Sequence, residues 1–286
     1  MKKSNFLMKL KAYIECMKIQ SSLVIASGIF MGMALAHGLN LSLNTFLFLY
    51  LIIGIGCSGG AQVLNRYFDI KVDIIEHPTR ALPKGILKPK NVLRFSIILY
   101  ILPLLSIFFG FKLFLISLFG MFLGIIYSMP LFKLRRHRYL QYLSVSLGYV
   151  FVPIISGWIV FRSVDLFIIM IVSYFSLIAF FVAPLKDCCD IKGDSIHQRK
   201  TLPTKIGIKN TLLYSVISSF VLSLMFLLFL VKMYDKNLLG YFFVVLILSI
   251  PLILIILRNP KQKSNFLLVE IFSFIVEVLF VLRWLL

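Results

Sequence analysis

The sequence is short of charged residues, and above all of acids. Charged residues make up 14% of its 286 positions, and Asp and Glu account for only 11 of them against 30 Lys and Arg. In soluble domains about a quarter of the residues are charged, so this shortage excludes an ordinary soluble protein. Hydrophobic residues make up 60% of the chain. We therefore expect an integral membrane protein with no separate soluble domain.

Cysteine is also scarce. The four cysteines are Cys16, Cys57, Cys188 and Cys189, and they form neither a CxxC metal motif nor a disulfide framework. Cys188 and Cys189 lie among aspartates, where a thiolate ligand to a metal is conceivable, but we interpret both as packing residues. A secreted, disulfide-stabilised scaffold is therefore excluded.

Nine apolar stretches account for most of the chain, and each is long enough to cross a hydrocarbon core of about 30 Å. They cover residues 19–36, 43–64, 95–111, 113–129, 143–161, 166–185, 211–231, 239–257 and 264–285. We predict an all-α polytopic membrane protein of about nine transmembrane helices. Ala34-Leu35-Ala36 imitates a signal-peptidase site, but Glu15 and the long basic region before it favour an uncleaved first helix.

The basic residues are distributed unevenly between the two sides of these helices. If the N-terminus is cytosolic, all but five Lys and Arg lie in cytosolic segments, the exceptions being Lys112, Arg162, Lys232, Lys236 and Arg283. This is the positive-inside pattern, and it predicts a cytosolic N-terminus in the cell membrane. Because topology accounts for the net charge of +19, we expect no nucleic-acid partner.

Six of the acids are concentrated in two short cytosolic segments. These acids are Asp69, Asp73 and Glu76, then Asp187, Asp190 and Asp194. Each segment contains Asp-Ile-Lys-x-Asp and is followed by Leu-Pro, first at Leu82 and again at Leu202. This repetition predicts one domain, residues 1–286, made of two related halves, about 19–140 and 141–260, plus a last helix at 264–285.

The spacing within these segments is helical. Asn65, Asp69 and Asp73 are four residues apart, and the second set is spaced by three and four, so each set is expected on one face of a helix continuing from its span. Carboxylate and amide oxygens are ligands that Mg²⁺ prefers. We predict that two or more Mg²⁺ ions bind to Asn65, Asp69, Asp73, Asp187, Asp190 and Asp194.

Cations accompany the acids in both segments. They are Arg66, Lys71, Arg80, Lys84, Lys192, Arg199 and Lys200. A diphosphate bridged by metal ions needs such balancing charge, so the two segments together suit a Mg²⁺-diphosphate site. The alternative is that the acids are solvated loop ends with no ligand.

The motifs resemble those of the UbiA superfamily of intramembrane prenyltransferases. Residues 65–73 resemble its NxxxDxxxD motif, residues 127–130 its YSxP segment, and residues 186–194 the second motif of the branch with homogentisate prenyltransferases, digeranylgeranylglyceryl phosphate synthases and chlorophyll synthases. Arg66 differs, since many members have Asp there. The resemblance covers essentially the whole chain.

The resemblance implies a UbiA-like bundle and an enzyme that uses Mg²⁺ to ionise a prenyl diphosphate. An allylic carbocation then reacts with an aromatic, quinone-precursor-like acceptor or with a lipid hydroxyl in the bilayer. The implied catalytic residues are Asp69, Asp73, Asp190 and Asp194. The implied diphosphate and acceptor contacts are Asn65, Arg66, Arg80, Tyr127, Lys133, Arg135, Lys186 and Arg199.

Two alternatives remain open from the sequence. A terpene cyclase of the same fold would quench the cation with its own distal double bond instead of an acceptor. A transporter would also have repeats and a central site, and Glu270 and Glu277 within the last span are acids that such a protein could use.

Overall fold

The computed structural model describes residues 2–18, 21–130, 132, 137–188, 191–196, 200–234, 239–259 and 264–285, and this part of the chain is helical without strands. Its helices are α1 (Lys2–Cys16), α2 (Ser22–His37), α3 (Leu43–Phe68), α4 (Ile70–Glu76), α5 (Pro89–Phe109), α6 (Phe111–Ser128), α7 (Tyr139–Ile159), α8 (Leu166–Asp187), α9 (Ile191–Ile196), α10 (Leu202–Tyr234), α11 (Leu239–Arg258) and α12 (Ser264–Leu285).

Each predicted apolar stretch coincides with one of these helices. Six of the described helices, α3, α5 to α8 and α10, are long and apolar enough to cross a membrane by length and composition. Helix α2 and residues Phe243–Arg258 of α11 are shorter apolar helices. The all-α membrane architecture is therefore confirmed, whereas the number of nine spans stays a prediction.

Helix α5 begins earlier than the predicted stretch at residue 95. Its first residue is Pro89, because proline has no N–H to leave unpaired and its φ already suits a first helical turn. The chain then leaves the helical conformation at Gly110, whose φ of 131° is readily available only to glycine. Helices α5 and α6 are thus joined by a single residue.

The helix predicted to continue from the second span through Asp73 is interrupted, so that prediction was wrong in one respect. Helix α3 ends at Phe68, and Asp69 adopts φ −89° and ψ 4° before α4 begins. Aspartate is a poor residue for a helix interior, which favours a break here. The amide of Asp69 still donates to the Asn65 carbonyl (2.9 Å), and that of Asp73 to Asp69 (2.8 Å), so the spacing survives the bend.

Helix α2 lies inside the bundle, packed against α7 and α12. Gly32 of α2 and Gly157 of α7 let two backbones meet directly, because a Cβ at Gly32 would clash with the Ile154 carbonyl oxygen and one at Gly157 with that of Ile29. Close backbone contact through small residues is a usual way for membrane helices to associate. This contact holds α7 against α2.

We expect Gly157→Ala to lower the stability of the folded protein by about 1–3 kcal/mol, because the added methyl group meets backbone that cannot rotate away. Thermal unfolding in detergent measures the change. Gly148→Ala in the same helix is the control, since a Cβ there meets nothing within 4 Å. An equal effect of both substitutions would contradict the α2–α7 contact.

Candidate active site

The first acidic segment lies where α3 gives way to α4. Asn65 is in the last turn of α3, Asp69 stands between the helices, and Asp73 is in the first turn of α4. The backbone bonds described above keep the three residues one turn apart. The structure therefore places these three predicted metal ligands along one stretch of about two turns.

Asp73 lies between two arginines. Its Oδ2 is 3.5 Å from Nη1 of Arg66, and its Oδ1 accepts from Nη1 of Arg80 at 2.5 Å. Asp73 is 4% exposed and Arg66 9%, so the carboxylate charge is balanced away from water. Each carboxylate oxygen has a second lone pair, so Asp73 remains able to bind a metal ion. The arginines predicted to contact diphosphate are thus positioned by a predicted metal ligand.

The ion pairs line one wall of a small pocket. Arg66, Asp73 and Arg80 line it together with Glu15, Cys16, Ala81 and Leu82. The Cys16 thiol faces this pocket from α1, and burial raises its pKa to about 11. The thiol is therefore neutral at physiological pH.

The side-chain oxygen of Asn65, Oδ1, is buried and lacks a hydrogen-bond partner among the described residues. A buried carbonyl oxygen without a partner loses its hydrogen bonds to water and gains none from the protein, which costs about 1–3 kcal/mol. A hard cation would satisfy this oxygen, so the residue fits the predicted Mg²⁺ site.

The second acidic segment is anchored through Asp187 at the end of α8. Its Oδ2 accepts from the Tyr142 hydroxyl (2.8 Å) and from Nε2 of Gln141 (3.2 Å). The Tyr142 oxygen in turn accepts from the amide of Leu202 at the start of α10 (3.0 Å). Three helices, α7, α8 and α10, thereby fix the position of one predicted ligand.

The remaining predicted residues divide into described and undescribed ones. Asp194, in the short helix α9, is 3% exposed, while Asp69, Tyr127 and Lys186 are half-buried. Residues outside the described part are Asp190, Lys133, Arg135 and Arg199. Ser128, next to Tyr127, donates to the Ala61 carbonyl (3.3 Å), which fastens the YSxP segment to α3.

Tyr149 of α7 contacts the helix that carries the first acidic segment. Its hydroxyl is hydrogen-bonded to Gln62 and Ser58 of α3. It also lies within electrostatic reach of Lys186, the residue before Asp187. Gln62 is one turn before Asn65 and Arg66. Tyr149 is thus hydrogen-bonded to the helix that carries the first motif and lies in the electrostatic field of the segment that carries the second.

No group of three or more His, Cys, Asp or Glu side chains close enough to share a metal ion occurs among the described residues, a set that leaves out Asp190. The shared metal cluster therefore stays a prediction.

Sequence reasoning missed Gln62, Gln141 and Tyr142. Gln62 had a detectable signal, because it is a polar side chain in an otherwise apolar span and is spaced helically before Asn65. Gln141 and Tyr142 had none, since their partner Asp187 lies 45 or 46 residues away along the chain.

Comparison with known proteins finds a family and a fold. The model of the UbiA prenyltransferase family matches residues 25–276. Digeranylgeranylglyceryl phosphate synthase of Thermococcus sibiricus is 30% identical over 264 residues, which are 90% of each chain. The enzyme of that name from Pyrococcus abyssi is 29% identical over 215 residues, 73% of this chain and 74% of the relative.

The fold comparison agrees. A UbiA homologue from Archaeoglobus fulgidus, solved with DMAPP and Mg²⁺, superimposes with a TM-score of 0.76 at 15% identity and covers 95% of this chain and 96% of the other. At this identity the likeness shows the fold. The family is identified from the alignment with the Thermococcus synthase, which covers 90% of this chain.

Proposed function

The chain belongs to the UbiA prenyltransferase family, and we propose that this enzyme transfers a prenyl group from a prenyl diphosphate to a hydroxyl group of a glyceryl phosphate lipid. Both relatives are named for a product in which geranylgeranyl groups are attached to glyceryl phosphate. A lipid hydroxyl is therefore preferred over the aromatic acceptor. As a family member the chain is an enzyme, which decides against the transporter alternative.

The buried, unsatisfied Oδ1 of Asn65 is the observation that carries a metal-dependent reaction. In the proposal Asn65, Asp69, Asp73, Asp187, Asp190 and Asp194 hold two or more Mg²⁺ ions. When bound, Mg²⁺ neutralises the diphosphate as its C–O bond to the prenyl group breaks. The DMAPP and Mg²⁺ bound by the Archaeoglobus homologue support this choice of metal and substrate.

Arg66 and Arg80 supply positive charge beside the metal ligands. Two guanidinium groups face the carboxylate of Asp73, which places their positive charge beside the proposed metal ligands. Arginine suits this role because its planar fork matches phosphate oxygens. In the proposal the contacts to diphosphate are completed by Tyr127, Lys133, Arg135, Lys186 and Arg199.

The helix bundle protects the reaction from water. An allylic cation reacts with any water it meets, so the transfer requires a site from which water is excluded. Tyr149 lies in α7, and its partners Gln62 and Ser58 lie in α3, so the tyrosine is enclosed by apolar helices. In the proposal its ring faces the cation.

We also propose the topology that the charge distribution predicts. Both acidic segments would face the cytosol at the cell membrane, and two related halves plus the last helix would form the domain. Support for the repeat comes from burial, since Leu82 and Leu202, which occupy matching positions after the two segments, are both buried.

Purified protein given Mg²⁺, geranylgeranyl diphosphate and a glyceryl phosphate that carries one geranylgeranyl group is expected to form the doubly prenylated product. EDTA should abolish product formation, and added Mg²⁺ should restore it, because the diphosphate cannot leave without its charge being neutralised. Mass spectrometry of the lipid extract measures the product.

Three other outcomes would contradict the proposal. Terpene hydrocarbon or alcohol formed without any acceptor would favour the cyclase alternative. Prenylation of homogentisate or a related ring, with none of the glyceryl phosphate, would favour an aromatic acceptor. Undiminished activity in EDTA would show that the reaction does not require a metal ion.

A further inference from the structure

Helix α1 lies against the end of the bundle that carries the first acidic segment. Ala12 and Cys16 on one of its faces are buried, and the ring of Tyr13 packs against that of Phe95 in α5, with the two ring centroids 4.8 Å apart. Cys16 also lines the pocket that contains Asp73. These contacts hold α1 at the level where α3 ends and α5 begins.

Another face of α1 is apolar and exposed. We call the side chains of Phe6, Leu7, Leu10 and Ile14 the apolar face of α1, and they are 66, 59, 46 and 43% exposed. Steps of three and four residues link them, which places them along one side of the helix. A contiguous row of exposed apolar side chains marks an interaction surface. A partner from outside the chain is therefore expected to cover this face.

Exposed lysines border the apolar face on both sides. Lys9 follows Phe6 by three residues, Lys11 precedes Ile14 by three, and both lysines are exposed. On a helix these positions lie at opposite edges of the apolar face. The one acid of α1, Glu15, lines the pocket instead. An apolar face bordered by lysines is typical of a helix that lies on a membrane surface.

The position of α1 in the fold also favours the bilayer as the partner. Phe95, which contacts Tyr13, belongs to a helix long and apolar enough to cross a membrane. Slightly further along α5, Ile97, Ile98 and Ile101 are 57, 59 and 50% exposed, as expected of residues that face lipid. Helix α1 is therefore attached where α5 enters the hydrocarbon core, and an apolar face at that level meets the lipid headgroups.

We propose that α1 docks on the surface of the bilayer, with its apolar face among the acyl chains and with Lys9 and Lys11 beside the phosphate groups of anionic lipids. The proposal does not rest on the proposed reaction. Burial of the apolar face favours docking on any bilayer. The lysines add to it only where the surface is negative, by about fivefold each. Docking should therefore depend on anionic lipid and weaken with salt.

Hydrogen exchange of the full-length protein in lipid nanodiscs tests the docking. The amides of residues 6–14 are compared between nanodiscs of phosphatidylcholine alone and nanodiscs that also contain phosphatidylglycerol. We expect at least about tenfold slower exchange in the negatively charged bilayer, because a docked helix opens less often. High salt should remove most of this difference.

Two double variants show whether the lysines of α1 are responsible. Lys9→Gln with Lys11→Gln should abolish the difference between the two bilayers. Lys205→Gln with Lys209→Gln is the matched control, since it removes two exposed lysines near the start of α10, and it should keep the difference. Leu10→Ser should speed exchange in both bilayers, because the apolar contact does not depend on the charge of the lipid.

Inorganic phosphate separates a lipid headgroup from a free anion. Added to nanodiscs of phosphatidylcholine alone, it should leave the exchange of residues 6–14 unchanged, because a free anion offers the apolar face nothing to bury against. Protection by inorganic phosphate equal to that by phosphatidylglycerol would contradict the proposal.

Other results would also overturn the proposal. One is equal exchange of residues 6–14 in the two bilayers, and another is loss of the difference in the Lys205 and Lys209 variant. Protection that appears only when two copies of the protein share a nanodisc would mean that a second copy, and not lipid, covers the apolar face of α1.

Discussion

Replacing Asn65 by leucine is expected to lower the rate of prenyl transfer at least about 100-fold while leaving the folded protein as stable as before, or more stable. The buried Oδ1 has no hydrogen bond within the described chain, so leucine, which is of similar size, removes a group whose burial costs about 1–3 kcal/mol. The same oxygen is a proposed metal ligand. Losing a group that stabilises charge in the transition state lowers the rate about 10²- to 10³-fold.

The two readouts are measured on the same preparation. Thermal unfolding in detergent gives the stability, and diphosphate release from geranylgeranyl diphosphate with Mg²⁺ gives the activity. Asn65→Asp is the matched variant, since it keeps an oxygen at the same reach and should recover part of the activity at high Mg²⁺. A leucine variant that is both active and unstable would show that Asn65 serves the fold rather than the metal.

Such a trade between stability and activity is common at functional sites, because groups placed for a ligand are not placed for the fold. Arg66 shows a different compromise. The resemblance of residues 65–73 to the family motif marked Arg66 as a departure from the expected Asp. In the structure Arg66 is a buried cation that forms an ion pair with Asp73.

The sequence predicted the helices well because crossing a bilayer is a local requirement. Whether a run of apolar residues is long enough to cross the bilayer can be counted from the sequence. Each predicted stretch accordingly coincides with an observed helix. Small errors arose where one residue controls the backbone. Pro89 starts α5 early, Gly110 ends the turn before α6, and Gly207, with φ 79°, divides α10 near its start.

The candidate site was predictable in its residue types but not in its partners. Helical spacing predicted that Asn65, Asp69 and Asp73 lie on one face, because these residues are close together in the sequence. The contact between Tyr142 and Asp187 joins residues 45 apart, and Glu270 meets Ser21 from the far end of the sequence. No spacing rule encodes such pairs, since the first depends on how α7 and α8 pack and the second on how α2 and α12 pack.

The most informative substitution at the site is Asp73→Asn, which should abolish diphosphate release and also destabilise the protein. Asparagine keeps the size of the side chain but removes the charge that balances Arg66, whose side chain is 11% exposed. Removing one partner of a buried ion pair costs about 3–5 kcal/mol. Part of any loss of activity in this variant could therefore come from unfolding.

A second substitution separates the two effects. In Arg66→Met with Asp73→Asn neither charge of the more deeply buried pair remains, and only Arg80, whose side chain is 26% exposed, keeps its charge. Part of the stability should therefore return, because a buried ion pair replaced on both sides is nearly neutral. Activity should stay lost, since the metal ligand and its arginine are both absent. Thermal unfolding and diphosphate release of the wild type, two single variants and the double variant form a complete cycle. Recovery of activity together with stability would mean that Asp73 acts only on Arg66 and binds no metal.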